Sequence, residues 1–403
     1  MHQEYKPGAW LLAIAASLLV GSAHGQSAPS TTAEQTGPGS IPVGPLVVFP
    51  GVDFKYGNDS NIFLSNANKR SSNVSILSPY LLVEAKPTPH KFALLMRIDH
   101  GQFRSSRDDD YNDYLLDGKG DMVISGRAGL GLHAEYRHGH DPRGSTDRPG
   151  GATPDEYDNK GIDGVFRYGA PGAQGRIELE GGRFNREYTN NRANTIVTDR
   201  DTTTYGGTFL WRVAPKTEIL VQAKRGKIDY ELATSTQDST ETRFYAGAKW
   251  EATAATSGTV KFGNMKKEFN NRVRQDFSGS SWDAAVTWKP LSYSVVDFVT
   301  SKQTNESTGL GDAIITKLYG VTWNHAWNSR FRTQLLANQR QDDFIGGGAT
   351  RADNTKTYGI GMSYQFRRWL RLGAEFTHAG RDSNNAAFNY DRDQFFFTLG
   401  ATL

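Results

Sequence analysis

From Leu46 onward the chain alternates apolar and polar residues in short runs, and the alternation has period two. In Tyr358-Gly359-Ile360-Gly361-Met362-Ser363-Tyr364-Gln365-Phe366 every even position is large and apolar, while every odd position is small or polar. A helix would bring its apolar residues back every three or four positions, so this run is a strand. The same pattern puts Leu130, Leu132, Ala134 and Tyr136 on one face, and does so again for Tyr205, Phe209, Trp211 and Val213. Phe244, Ala246, Ala248 and Trp250 form a further row, as do Trp282, Ala284, Val286 and Trp288. These rows are expected to face lipid, with Trp211, Trp250, Trp288 and Phe366 as an interfacial girdle beside short turns.

Strands are predicted near 46–56, 72–86, 90–104, 111–124, 127–138, 157–169, 174–188, 200–213, 216–230, 240–253, 257–269, 277–289, 291–304, 313–326, 329–343, 355–367, 369–381 and 391–403. The count is eighteen, or sixteen if 111–124 and 291–304 are not strands. Short turns pair them at Pro87-Thr88-Pro89, Ser125-Gly126, Pro171-Gly172, Ala214-Pro215-Lys216, Ala254-Ala255, Lys289-Pro290, Trp327-Asn328 and Arg367-Arg368. Longer connections rich in Asp, Asn, Arg, Ser and Gly lie between the hairpins, at 105–112, 141–158, 189–199 and 346–354. Short turns on one side and long polar loops on the other describe an all-β, single-domain, up-and-down antiparallel transmembrane β-barrel. An even count leaves both termini on the periplasmic side, and the sheet must close because an open edge in hydrocarbon strands its amides.

Composition narrows the alternatives. Only 37% of the 403 residues are apolar, and past the amino terminus no run approaches the length of a membrane helix. Gly (43 residues) and aromatics (11%) are abundant, as in barrels with small residues within strands and rings at the interfaces. Cys is absent, which removes disulfides and thiolate metal sites, and a net charge of +3 gives no case for nucleic acid. The apolar run at 10–21 follows Lys6 and precedes Ala23-His24-Gly25, so residues 1–25 read as a Sec-type signal peptide cleaved before Gln26. Residues 26–43 read as a flexible periplasmic segment and 44–403 as the barrel, which places the protein in the outer membrane of a Gram-negative bacterium, among lipid and lipopolysaccharide. Phe395, Phe397, Leu399, Ala401 and Leu403 carry the alternation to the carboxyl end. That ending resembles the signal read by barrel-assembly machinery, with Leu403 where an aromatic is usual.

The start of the barrel carries a resemblance of its own. Gly44-Pro45-Leu46-Val47-Val48-Phe49-Pro50, Asn58-Asp59-Ser60-Asn61-Ile62-Phe63 and Leu77-Ser78-Pro79-Tyr80-Leu81 resemble the opening of the outer-membrane β-barrel (β-barrel porin type 2) family found with exopolysaccharide biosynthesis operons. The resemblance implies a barrel of the eighteen-strand class that helps to export or assemble an exopolysaccharide or capsular polysaccharide, alongside periplasmic and inner-membrane synthesis and export components. It brings no catalytic or binding residues with it. Independently of it, Pro45 and Pro50 suit an edge-like first strand, and Asn58-Asp59 suits a turn.

The face opposite the apolar rows is expected to line the lumen. It receives Arg97, Arg127, Arg137, Arg167, Arg176, Arg212, Lys224, Arg243, Lys249, Lys261, Arg330, Arg332, Arg340, Arg367 and Arg371. Against them stand Asp99, Glu135, Asp163, Glu178, Glu180, Glu218, Glu251, Asp283 and Glu375. A basic lumen suits an anionic cargo, an acidic polysaccharide on the main reading. The competing account is that inward Arg and Glu pair across strands and stiffen the wall. Two other functions stay open: a diffusion porin for small anionic solutes, with the 141–158 connection as its constriction loop, and a non-conducting barrel that binds partners at its surface. Without a plug domain before residue 44 or length for 22 strands, an energised transporter is not expected.

Enzymatic chemistry finds little support. His138-Gly139-His140-Asp141 puts two imidazoles on one face where a strand meets a long loop, and loop solvation accounts for them better than a metal or a base. Asp108-Asp109-Asp110 and Asp199-Arg200-Asp201 read as solvated loop charge rather than a divalent cation site. Gly150-Gly151 and Gly346-Gly347-Gly348 precede no helix, so no phosphate cradle is expected. No Ser sits in a nucleophile setting, and no catalytic residue, metal or cofactor is expected.

Overall fold

In the computed structural model, residues 39–148, 151–251, 255–307, 311–348 and 350–402 are described. The signal peptide assigned to 1–25 lies outside them, as do Gly150, Ala254 and Leu403. Nineteen strands follow in order. They are β1 (Ile41–Val43), β2 (Leu46–Asp59), β3 (Ser72–Ala85), β4 (Lys91–Phe103), β5 (Tyr111–Val123), β6 (Ala128–Asp141), β7 (Asp155–Tyr168), β8 (Gly175–Tyr188), β9 (Arg200–Ala214) and β10 (Thr217–Tyr230). Then come β11 (Ser239–Trp250), β12 (Thr256–Phe269), β13 (Phe277–Leu291), β14 (Ser294–Asn305), β15 (Ala313–Ala326), β16 (Phe331–Ile345), β17 (Ala352–Arg367), β18 (Leu370–Ser383) and β19 (Tyr390–Thr402).

Strands β2 to β19 pair each with the next, all antiparallel, and β19 returns to β2 to close an eighteen-strand barrel. Both uncertain segments, 111–124 and 291–304, are strands. Two features were not anticipated. Asn58 and Asp59, read as a turn, continue β2, because Asp59 pairs with Ser72 on one side and with Gln394 on the other. Residues 41–43, placed in the flexible segment, form β1 instead. The ladder between β19 and β2 stops at Thr402↔Gly51, and β1 takes up the same edge of β2 from Ile41↔Val48 to Val43↔Leu46. The hairpin through Gly44 (φ 59°) and Pro45 thereby supplies partners to a stretch of edge that the last strand does not reach.

The wall is apolar outside and polar within, the reverse of a water-soluble core. Phe54, Leu132, Phe209, Phe244, Phe262 (63% exposed), Met362 and Phe397 all project outward. Trp211, Trp288, Trp327 and Trp369 are exposed near the short turns, as is Phe366, whereas Trp250 is half-buried. Buried positions are largely charged or hydroxylated, among them Asp59, Arg186, Lys267, Thr208 and Ser281. In hydrocarbon an unpaired amide costs several kcal/mol, about 4–8 on a water-to-cyclohexane scale, so continuous pairing holds this fold rather than a packed apolar centre.

One ladder stops short. Strand β13 pairs with β14 from Trp282↔Lys302 to Trp288↔Val296, with a further pair at Leu291↔Ser294. Residues 277–281 pair with β12 alone among the described residues. Meanwhile β14 continues beside β15 as far as Asn305↔Ile314. At its loop end β14 has therefore separated from β13, while β15 stays in the wall, paired with β16 as far as Ala313↔Ile345.

Candidate functional site

The mouth opposite the short turns is occupied by inward-folded chain. Residues 142–148, which follow β6, run inward across the mouth to Arg351, just before β17, and Arg381 of β18, on a distant sector of the ring. Arg143 begins the crossing: its guanidinium lies 3.8 Å from the centre of the Phe63 ring and forks onto Asp109, with Nε 2.8 Å from Oδ1. At Gly144 (φ 74°) the backbone passes so close to the β2–β3 loop that a Cβ would stand 2.5 Å from the Phe63 carbonyl oxygen, which leaves room for glycine alone. Arg381 of β18 donates to the Gly144 carbonyl at 3.0 Å, and Arg351, just before β17, donates to the Asp147 carbonyl at 2.9 Å. Ser307 Oγ donates to the Asp147 carboxylate at 3.3 Å. Arg148 ties the near side, donating to the Asn194 carbonyl at 2.7 Å and to Asp155 at 2.6 Å.

The two anchoring arginines are themselves fixed. Arg351 makes a forked pair with Asp353 (Nη2 to Oδ2 2.6 Å) and lies 3.4 Å from the Phe388 ring centre. Arg381 donates to the Phe388 carbonyl at 2.6 Å and stands 4.8 Å from the Tyr390 ring. A planar guanidinium can stack on a ring and still donate in its plane, which lysine cannot do.

The end of β14, freed from β13, leads into a second inward element. Thr304 Oγ1 donates to Glu241 of β11 at 2.6 Å. Glu306 accepts from Tyr230 Oη at 2.7 Å and from Lys267 Nζ, and the Lys267 side chain is 0% exposed. Burial pushes the Glu306 carboxyl up, but Lys267 and Arg200, with the hydrogen bonds from Lys267 and Tyr230, outweigh it and hold the group below the usual carboxylate range. Arg274 pins the far side of this element, donating to Asp312 Oδ1 at 2.8 Å and to the Gly311 carbonyl at 2.9 Å.

The basic residues assigned to the lumen fall into two sets. Ten have carboxylate partners: Arg97 with Asp99 (2.8 Å) and Asp53 (3.8 Å), Arg137 with Glu135 (3.6 Å), Arg167 with Asp121, Arg176 with Glu218 (2.7 Å), Arg212 with Glu218 (3.9 Å), Lys224 with Glu180 (3.0 Å), Arg243 with Glu241, Lys261 with Asp283 (3.0 Å), Arg340 with Asp342 (2.7 Å) and Arg371 with Asp53 (3.4 Å). Arg127, Arg330, Arg332 and Arg367 make no ion pair among the described residues. Arg332 shares a face of β16 with Arg340. Arg127 and Arg330 lie in short turns and Arg367 ends β17, all three exposed, so they rim the periplasmic end rather than line the wall. Arg330, Arg332, Arg367 and Arg368 leave the region beneath β16–β18 basic, whereas Arg127 stands apart at the β5–β6 turn.

The loop motifs separate into local pairs. His138 bonds to Asp158 at 2.8 Å, and His140 bonds to Asp113 at 2.8 Å while stacking on Tyr111. The two imidazoles thus take different carboxylates and share no focus. Asp109 is held by Arg143, Asp199 by Arg192 (2.5 Å) and Asp201 by Arg183 (2.9 Å). Gly346, Gly347 and Gly348 have φ of 76°, 57° and 74° and make a turn. One cluster escaped the sequence reading: Asp117, His133 and Glu135 bring three candidate ligand atoms together on the inner wall. Its signal was the alternate spacing of His133 and Glu135, which puts both on one face.

Among solved structures, the outer membrane protein OpdK of Pseudomonas aeruginosa is 11% identical with a TM-score of 0.50, and the match covers 88% of this chain and 98% of that one. A BenF-like porin of Pseudomonas fluorescens (8% identical, TM-score 0.49) matches over 89% of this chain and 99% of its own, and OpdQ of Pseudomonas aeruginosa (11%, 0.47) over 89% and 97%. At 11% identity the likeness to OpdK speaks for the fold alone. No curated protein matches the sequence. Residues 35–402 match the family described as "Putative beta-barrel porin 2". A closed eighteen-strand barrel with a crossed mouth, matched over nearly its whole length, belongs to that family of outer-membrane β-barrel porins.

Proposed function

We propose that this barrel is a diffusion porin that passes small anionic solutes across the outer membrane. The observation that carries this reading is the 142–148 segment, which crosses the mouth and is held on the far side by Arg351 and Arg381. A strand of chain fixed across the lumen leaves passages for small solutes and obstructs a polysaccharide. The expectation of polymer export therefore gives way to its alternative, and neither the family match nor the structural neighbours speak for export. Selectivity for anions is supported by Arg330, Arg332, Arg367 and Arg368, which face few acids at the periplasmic end. Along the wall itself, most cations are matched by carboxylates, so that stretch contributes stiffness more than selectivity.

The test is reconstitution in planar bilayers under a potassium chloride gradient. Open channels with a reversal potential of the sign for chloride preference are expected. The double variant Arg330→Glu and Arg332→Glu should move that potential toward the cation side with conductance retained. Absence of conductance, or cation preference in the unmodified protein, would refute the proposal.

A further inference from the structure

We propose that the inner wall holds a site for Zn2+ formed by Asp117 of β5 with His133 and Glu135 of β6. In the β5–β6 ladder Asp117 stands directly opposite Glu135, and Lys119 opposite His133. Two carboxylates facing each other across a ladder repel unless a cation lies between them. Here each leans toward its own strand neighbour instead: Asp117 Oδ1 to Lys119 at 2.9 Å and Glu135 Oε1 to Arg137 at 3.6 Å. Between them sits the ring of His133, 4% exposed, with Nε2 2.9 Å from Asp117 Oδ2. One ligand atom from each of the three residues lies within 4.8 Å of the others, a spread that modest side-chain motion closes around one ion.

The other ring nitrogen supplies an independent observation. His133 Nδ1 lies 2.8 Å from Oδ1 of Asp163, its directly opposite residue on β7. A carboxylate that receives Nδ1–H fixes the ring and makes Nε2 the more basic ligand, the arrangement that accompanies histidine in many metal sites. One imidazole nitrogen and two carboxylate oxygens, with water in the fourth position, suit zinc, and the nitrogen disfavours magnesium.

Metal and proton compete for one position. With Asp163 on Nδ1 and Asp117 on Nε2, the ring makes its hydrogen bonds to both carboxylates as an imidazolium. The charged groups around it are Asp117 and Lys119 from β5, Glu135 and Arg137 from its own strand, and Asp163 from β7. Zinc binding takes up the Nε2 lone pair and releases the proton held there to solvent, one ion for one proton at that atom. The three ligands and the zinc then sum to neutral, where an imidazolium and two carboxylates had left a net negative charge on the lumen wall. The site stands whether or not the barrel conducts.

Titration calorimetry of the full chain, folded in detergent, tests this with zinc chloride and magnesium chloride. Measurement at one pH in two buffers of different protonation enthalpy reads the proton release. A single Zn2+ per chain with release of a proton is expected, and magnesium should bind far more weakly. His133→Gln, which keeps a polar side chain of similar reach, should lose zinc affinity by at least about tenfold, and Asp163→Asn should weaken it by about 10–100-fold. Retention of heat-modifiable migration on gels shows that each variant is folded. Absence of zinc binding overturns the site, as does binding unaffected by His133→Gln or matched by magnesium.

Discussion

Lys267 has no water to turn to. Its ammonium sits between the wall and the folded-in segment after β14, and its partner Glu306 is 7% exposed. Removing one member of a buried pair strands the other, so Lys267→Met is expected to destabilise by about 3–5 kcal/mol. The double change Lys267→Met with Glu306→Gln should recover part of the loss. The temperature at which the folded band disappears in a gel-shift assay checks both, and an unshifted single variant would contradict the role given to this pair. At the residue scale some of the ionic wiring could be read in the chain and some could not. Arg97 with Asp99, Arg340 with Asp342 and Arg351 with Asp353 are two residues apart, so period two alone puts each pair on one face. Arg176 with Glu218 and Arg371 with Asp53 depend on which strands are neighbours and in what register, information spread over the whole sheet. For that reason a tally of inward cations and anions overstated the basic excess of the wall.

At the scale of elements, the far end of the crossing loop is held by few contacts, and two of them come from the guanidinium groups of Arg351 and Arg381. Hydrogen bonds to charged groups contribute about 1.5–3 kcal/mol each. Loss of both anchors in the double variant Arg351→Ala and Arg381→Ala should therefore release the far end of the loop. Larger single-channel conductance and faster trypsin cleavage near Arg148 are expected, and an unchanged conductance would show that the loop does not restrict the passage. Asp353 would lose its partner in this variant, so heat-modifiable migration serves as the folding control. The length and polarity of the 141–158 connection were visible in the sequence, and so was its aptitude as a constriction. Its destination was not, because the anchors lie 204 and 237 residues away along the chain. The departure of the end of β14 from β13 was hidden for a different reason: residues 301–307 are polar throughout, and pattern alone cannot tell a strand in the wall from the same strand bent inward.

For the whole molecule, closure depends on β19 meeting β2. Gly57 stands opposite Phe396 in that seam, and a Cβ on it would fall 1.8 Å from the Phe395 carbonyl oxygen. A backbone atom cannot step aside as a side chain can, so Gly57→Val should force the first and last strands apart. Loss of the heat-modifiable form, with the chain still synthesised, is the expected outcome; normal folding would mean that the seam tolerates widening. Strand number, order and facing were all legible, since each follows from alternation and turn spacing. The short β1 was not, because three residues with a Pro at their centre carry no period of their own.

The early end of the ladder between β13 and β14 has a mechanical consequence. A ring bonded around its full circumference resists being squeezed into an oval, since every ladder shares the load. Where residues 277–281 lack a neighbour on one side, the rim is softer. Lateral pressure from the surrounding leaflet will be taken up there first, as a change in the width of that notch. Because the end of β14 that borders this notch leads directly into Glu306 and Ser307, and Ser307 reaches Asp147 on the crossing loop, flexing of the rim is transmitted to the segment that crosses the mouth.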